Sequence, residues 1–214
     1  MYIKKFTLKT LYLFIGLSVL FNYNIIVFSA DTYKWSTTPD SLETSTSTSE
    51  PITSNNALNL QSGAAILIDQ NSGQVLYEHN SHEQLRPASV TKVMSILLIM
   101  EALDSGQISL EDKVPCSENA SSMGGSQIWL TPSETLTVNE MIKCMCVVSA
   151  NDCTVAMAEY LCGSTDAFVA KMNERAKELG MNDTHFKNCH GIDEDGHVTS
   201  AYDISVMSRV LLTK

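Results

Sequence analysis

Residues 87–103 read PASVTKVMSILLIMEAL, and the fold depends on this stretch. Its apolar residues cover nearly every side of a helix, which predicts a helix in the middle of the molecule. Proline is tolerated in a first helical turn, so the helix is predicted to begin near Pro87 and to run to about Leu103. Ser89 and Lys92 are three residues apart and therefore project from the same helical face.

Two strands are predicted before this helix. Ala64–Asp69 and Gln74–His79 are β-type runs, and the residues between them, Gln70-Asn-Ser-Gly73, have the composition of a turn. The pattern predicts a β-hairpin. The first strand is almost entirely apolar, so we expect both of its faces to be covered.

Four helices are predicted in the second half of the chain. The first opens with the capping box Thr137-Val-Asn-Glu140, and the last with the candidate box Ser200-Ala-Tyr-Asp203. Gly163 and Gly180 are typical stop signals. No further strand is predicted, and a two-stranded sheet is marginal by itself. The predicted helices cover about residues 138–148, 152–161, 164–179 and 201–214.

A second polar turn, Ser149-Ala-Asn151, follows Ser89 by about sixty residues. A serine hydroxyl is a poor nucleophile until a base takes its proton. Lys92 can be that base only when neutral, and both burial and the positive end of a helix disfavour the charged amine. The two motifs together predict acyl transfer through a serine ester. By themselves, these residues also fit a capped helix start with an exposed lysine and an N-cap at Asn151.

Pro87–Met94 and Val148–Asp152 resemble the penicillin-recognising serine hydrolases, and most of all the D-alanyl-D-alanine carboxypeptidases. The resemblance covers about residues 60–214. It includes Asn188-Cys-His-Gly191, with cysteine where proline is usual, and His197–Asp203. It implies an α+β fold of the β-lactamase/DD-peptidase (transpeptidase-like) class. The N-terminal hairpin and the helical region belong to this fold, whose later sheet strands are missing from the 214 residues.

The resemblance implies a role for each polar residue of the two motifs. Ser89 would attack the carbonyl of the D-Ala–D-Ala bond in a peptidoglycan stem peptide, with Lys92 as the base. Ser149 would relay a proton to the departing amine, and Asn151 would hold the substrate amide and fix Lys92. β-Lactams would mimic the dipeptide and acylate Ser89. No metal and no organic cofactor is implied.

Two rival functions stay open at this point. A class A β-lactamase usually carries aspartate where this chain has Ala150, and no glutamate is placed to drive deacylation. A secreted, non-catalytic homologue that binds cell-wall peptide or penicillin is the other rival. It is favoured by the absence of the family's third motif, a Lys-Thr-Gly strand, from these 214 residues.

The remaining chemistry-bearing residues are predicted to be structural. Trp129 is expected to pack, and His190 to make a structural hydrogen bond. The other four histidines have no paired spacing for a metal. The six cysteines are expected to be mostly buried free thiols, although an exported chain also permits one or two disulfides. These histidines and cysteines are His79, His82, His185, His197, Cys116, Cys144, Cys146, Cys153, Cys162 and Cys189.

Residues 1–30 are predicted to be a secretory signal peptide, with a basic start, an apolar run and small residues near Ala30. An uncleaved anchor, and hence membrane attachment, stays open because the apolar run is long for a signal and short for a span. Residues 31–59 are predicted to be a disordered Ser/Thr-rich linker, and residues 60–214 a partial catalytic domain. The protein is therefore expected to be exported and extracytoplasmic, either secreted or attached to the cell envelope.

The acidity of the chain excludes one class of partner. Residues 1–30 hold three of the 14 basic residues and none of the 24 acidic ones, so their removal changes the net charge from −10 to −13. Such a surface repels nucleic acid and anionic lipid. We therefore predict no nucleic-acid partner.

The missing Lys-Thr-Gly motif leads to a first prediction. In the family that strand supplies one of two oxyanion-hole N–H groups and grips the substrate carboxylate. Loss of one such donor costs about 10²–10³-fold in turnover. We expect the 214-residue chain alone to release D-alanine from a stem peptide more slowly than a complete carboxypeptidase by at least that factor. Robust release by the isolated chain would refute this expectation.

Overall fold

The structure, a computed structural model, describes Leu58 and residues 60–214. The predicted signal peptide and, apart from Leu58, the predicted linker lie outside the described residues. The boundary at residue 60 therefore remains a prediction. Across the described part of the chain, no helix combines the length and the apolar character that a membrane crossing needs.

The predicted hairpin is confirmed. Strand β1 (Ala65–Ile68) pairs antiparallel with β2 (Val75–His79). The Asp69 carboxylate stabilises the turn by accepting hydrogen bonds from the Ser72 N–H (2.7 Å) and hydroxyl (2.6 Å). The expectation that both faces of β1 are covered is wrong for the described residues, because the Leu67 side chain is 54% exposed. Among these residues the strand is covered by a helix near the end of the chain.

A second small sheet was not predicted. Strand β3 (Lys113–Pro115) pairs antiparallel with β4 (Thr135–Thr137), so the prediction of no further strand is wrong. Each strand has only three residues, too few for an alternating pattern to show in the sequence. Thr137 is also the N-cap of the following helix, and the capping-box pattern predicts a helix start at the residue where β4 ends.

The helix over residues 87–103 is confirmed as the centre of the fold, although its start differs. Ala88–Thr91 form a 3₁₀ turn, and helix α1 spans Lys92–Asp104. The Met94, Leu97 and Ile99 side chains are fully buried. Three later helices pack directly against α1.

The remaining helices follow the sequence signals closely. The Thr137–Glu140 capping box is present, with both reciprocal hydrogen bonds, and Gly163 ends a helix with φ +80°. The candidate box at Ser200 is only half formed. The Ser200 hydroxyl accepts the Asp203 N–H, but the Asp203 carboxylate bonds to Asp183 and Thr184. The bounds of these helices are α2 (Glu118–Ser121), α3 (Val138–Val147), α4 (Asn151–Cys162), α5 (Thr165–Glu178) and α6 (Ala201–Leu211). Helix α6 covers β1, and α2 was not predicted.

Candidate active site

Ser89 and Lys92 meet at the junction between the 3₁₀ turn and α1. Residues three apart eclipse one another in a 3₁₀ turn, and the Lys92 amine nitrogen lies 3.4 Å from the Ser89 hydroxyl oxygen. Ser89 is exposed, whereas Lys92 is only 3% exposed. The arrangement places a hydroxyl that a ligand can reach beside an amine that solvent cannot reach.

Three oxygen atoms of the described residues lie within hydrogen-bonding distance of the Lys92 amine. Besides the Ser89 hydroxyl, Nζ lies 2.7 Å from the Asn151 Oδ1 atom and 2.7 Å from the His190 carbonyl oxygen. Both of these carbonyl groups can only accept hydrogen bonds. A neutral amine has two N–H bonds and one lone pair. When it donates to the two carbonyls, its lone pair is left to face the Ser89 hydroxyl.

Burial lowers the pKa of the Lys92 amine to about 8, because an ammonium ion loses hydration in this surround. A negative charge on the nearby Cys189 would act in the opposite direction and raise the pKa of Lys92. Burial raises the pKa of Cys189 itself to about 12, so the thiol carries no charge near neutral pH. A substantial fraction of Lys92 is therefore neutral at mildly alkaline pH.

Asn151 connects the two motifs. It is the first residue of α4, and its side-chain N–H donates to the Gly124 carbonyl at 2.7 Å while its Oδ1 accepts from Lys92. The alternative role as an N-cap is wrong, because the cap residue is Ala150 and makes no side-chain cap bond. The amide of Asn151 is thus held from both ends, with its oxygen aimed at the amine.

Ser149 lies in the same turn but is not joined to the other polar groups. Its backbone has φ +60°, an uncommon value for serine, and the residue is half-buried. Within the described residues, no hydrogen bond links its hydroxyl to Ser89, Lys92 or Asn151. Its part in proton transfer therefore remains a prediction.

The segment before α3 is held against this turn by a buried acid. The fully buried Asp152 carboxylate accepts the N–H groups of Ile128 and Leu130, each at 3.1 Å. Trp129, between them, has φ +58° and is 76% exposed. The expectation that Trp129 packs is wrong, because its two neighbours turn inward and the residue between them faces out.

The loop at residues 187–191 provides a contact that sequence reasoning missed. Its carbonyl at His190 binds Lys92, and its carbonyl at Cys189 accepts the buried Ser95 hydroxyl at 2.6 Å. The His190 ring accepts the Ile192 N–H at 3.1 Å, which confirms the predicted structural hydrogen bond. Burial lowers the pKa of His190 to about 4, so the ring is neutral.

No group of three metal-binding side chains occurs within the described part of the chain. All six cysteines lie in this part and are unpaired. Three of them are buried, and Cys146 is exposed. The donor atoms gathered around Ser89 are one hydroxyl, one amine, one amide and backbone groups, a set suited to acyl transfer.

The family profile of the D-alanyl-D-alanine carboxypeptidases (peptidase S11) matches residues 46–214. The chain therefore belongs to this family. It is 56% identical over 149 residues to the D-alanyl-D-alanine carboxypeptidase DacF of Bacillus subtilis, an alignment that covers 70% of this chain and 38% of that protein. The chain spans about two fifths of the length of the first curated relatives that it matches.

Solved structures show the same fold. The D-alanyl-D-alanine carboxypeptidase DacD from Francisella tularensis superposes with a TM-score of 0.70 at 34% identity, over 76% of this chain and 40% of that one. Penicillin-binding protein D2 from Listeria monocytogenes, in its ampicillin-bound form, gives 0.65 at 29% identity, over 73% and 64% of the two chains. The predicted α+β, DD-peptidase-like fold is confirmed.

The contact between Lys92 and Asn151 gives a prediction for the base. The Asn151→Asp change is nearly isosteric and places a carboxylate where Oδ1 now lies, 2.7 Å from the amine. A negative charge at that distance favours the ammonium form, so the pKa of Lys92 should rise above about 8. The measurement is an NMR titration of the Lys92 Cε signal.

Asn139→Asp, in the first turn of α3, is the matched control because it adds the same charge to a residue that does not contact the amine. It should leave the Lys92 midpoint in place. An equal midpoint in wild type and Asn151→Asp would contradict the proposed contact.

Proposed function

We propose that this chain carries the nucleophile and the base of a serine-type D-Ala-D-Ala carboxypeptidase. The enzyme removes the terminal D-alanine from peptidoglycan stem peptides. The single observation that supports this most strongly is the buried amine of Lys92, which lies 3.4 Å from the exposed Ser89 hydroxyl. Family membership supplies the substrate class.

Acylation begins when neutral Lys92 takes the Ser89 proton. The Ser89 oxygen then bonds to the carbonyl carbon between the two D-alanines, and the C–N bond breaks. The departing amine needs a proton, and Ser149 is the group proposed to pass it from Lys92. The Ser149 hydroxyl makes no such contact here, which is compatible with hydrogen bonds that align only when substrate binds. Asn151 holds the substrate amide and keeps Lys92 in place.

Deacylation reverses the proton transfers. A water molecule gives a proton to the neutral amine and attacks the ester carbonyl, and the Ser89 oxygen leaves as a hydroxyl. The products are a stem peptide shortened by one residue and the free enzyme. The proposal requires no metal and no organic cofactor, since the hydroxyl, the amine and water account for every atom transferred.

β-Lactams are the proposed inhibitors. The similar Listeria protein has been solved with ampicillin and with cefotaxime bound, and the same strained amide would acylate Ser89 in this chain. Family membership weighs against the class A β-lactamase reading. A peptidoglycan substrate also lies outside the cytoplasm. We therefore propose that the protein is exported by residues 1–30, and that it is attached to the membrane if this segment is retained.

The function is tested with a chimera in which this chain replaces the matching 149 residues of B. subtilis DacF. The chimera should release D-alanine from a stem pentapeptide and bind fluorescent penicillin covalently. Ser89→Ala should abolish both activities, because no other hydroxyl among the described residues contacts the Lys92 amine. Ser121→Ala should leave both unchanged, because the Ser121 hydroxyl donates to the Glu118 carbonyl in its own helical turn and does not contact the amine. Penicillin labelling without D-alanine release would instead favour the non-catalytic homologue.

The pH dependence of acylation follows from the state of Lys92. Only the neutral amine can take the Ser89 proton, so the acylation rate should rise with pH, with its midpoint at about 8, and then level off. Well below the midpoint the rate should fall about tenfold per pH unit. Stopped-flow labelling of the chimera with fluorescent penicillin measures this profile. A flat profile across the midpoint would argue against Lys92 as the base.

A further inference from the structure

A buried chain of hydrogen bonds leads to the peptide bond just before the nucleophile. The Lys187 N–H donates to His197 Nδ1 at 2.9 Å. The other ring nitrogen, Nε2, lies 2.7 Å from the Thr91 hydroxyl, and that hydroxyl lies 2.8 Å from the Ala88 carbonyl oxygen. Thr91 and His197 are both almost completely buried. The mechanism proposed above uses neither of them.

The donor and acceptor of every hydrogen bond in this series follow from the two groups at its ends, the Lys187 N–H and the Ala88 carbonyl. A backbone N–H can only donate, so His197 Nδ1 is the acceptor and the proton of the neutral ring lies on Nε2. Nε2 therefore donates to the Thr91 oxygen. The Thr91 hydroxyl must then donate its own proton to the Ala88 carbonyl, which can only accept. Burial lowers the pKa of His197, which keeps the ring neutral as this arrangement requires.

Ala88, whose carbonyl accepts the last of these hydrogen bonds, has an uncommon backbone conformation. Ala88 has φ +47°, a value in the left-handed region that L-residues rarely adopt. Gly191 lies against the same peptide bond, where a Cβ would overlap the Ala88 carbonyl and come within 3.0 Å of the Ser89 nitrogen. The peptide bond between Ala88 and Ser89 is thus held on one side by Thr91 and on another by the backbone of Gly191.

The orientation of this peptide bond decides where the Ser89 N–H points. In a trans peptide the carbonyl and the N–H point in opposite directions. With the Ala88 oxygen held inward by Thr91, the Ser89 N–H must point away from it. Within the described residues this N–H donates no hydrogen bond, although it belongs to the nucleophile itself. An unoccupied donor beside a serine nucleophile is suited to the oxyanion that forms during acyl transfer.

We infer that Thr91 and His197 are positioning residues. They hold the Ala88–Ser89 peptide bond so that the Ser89 N–H is directed at the developing oxyanion. The inference rests on the proposed function for its catalytic meaning, but its structural content is independent of it. Neither side chain is among the groups proposed to bind substrate, and neither hydrogen-bonds to the Lys92 amine, so their loss should weaken oxyanion stabilisation without changing the base.

The test compares Thr91→Val with Thr91→Ser in the chimera. Valine has the shape of threonine but no hydroxyl, so it removes the hydrogen bonds from His197 to Thr91 and from Thr91 to Ala88. Serine keeps the hydroxyl. Thr91→Val should lower the plateau of the penicillin acylation rate by about 10²-fold, close to the effect of losing an oxyanion donor. The midpoint of its pH profile should stay at about 8. Thr91→Ser should restore most of the plateau.

Thr199→Val is the matched control. Thr199 is equally buried, and among the residues that the structure describes its hydroxyl bonds only to that of Thr184. The change therefore removes a buried hydroxyl without breaking the hydrogen bonds that lead to Ala88. It should leave the plateau unchanged. A shifted midpoint in Thr91→Val would indicate general disruption of α1 and would overturn the inference. So would an unchanged plateau.

A second readout needs no catalysis and uses the 214-residue chain itself. NMR should find the proton of His197 on Nε2. The Ser89 amide signal should shift or broaden in Thr91→Val and return in Thr91→Ser. If Thr91→Val does not fold, Thr91→Ala removes the same hydroxyl with less bulk. Unchanged Ser89 signals would overturn the inference even if Ser89 is acylated, whereas altered signals without acylation would count against the proposed function alone.

Discussion

The site depends on a single buried amine. Taking the Lys92 ammonium out of water is costly unless it is paired or loses its proton. Within the described part of the chain, the fold offers it two carbonyl oxygens and no carboxylate within hydrogen-bonding distance. An amine in such a place is stabilised in its neutral form and still held in one orientation. Each surrounding element helps to keep the Lys92 amine buried and in this orientation. Helix α1 carries the Lys92 side chain, α4 brings Asn151, and the loop at residues 187–191 brings the His190 carbonyl.

That loop supports Ser89 as well as Lys92. Its first residue, Lys187, begins the hydrogen-bond chain that reaches Ala88, and its last, Gly191, packs against the Ala88–Ser89 peptide bond. Glycine is required there, because its φ is +92° and a side chain would overlap the Ala88 carbonyl. An ion pair between Arg86 and Asp193, two residues beyond the loop, holds this region against the segment before Ser89. Ser89 and Lys92 are thus positioned by one short, heavily bonded segment.

Several elements could be predicted because their signals are local. The hairpin turn, the Thr137 capping box and the apolar helix after Ser89 each depend on residues within a few positions of one another. The failures have a different cause. Strands β3 and β4 are too short to show a pattern, and the exposure of Leu67 and Trp129 depends on which elements pack beside them. A sequence of apolar residues does not say whether a neighbour covers them.

By itself, the sequence determined the chemistry of the site: a serine and a lysine three residues apart, and an asparagine in a second turn. Their residue types and spacing are visible without coordinates. Only the tertiary structure decided what surrounds them. The His190 carbonyl reaches Lys92, and His197 reaches Thr91, across about a hundred residues of sequence. Such contacts leave no local pattern, because every residue carries a backbone carbonyl and only the packing of the chain brings a particular one to the amine.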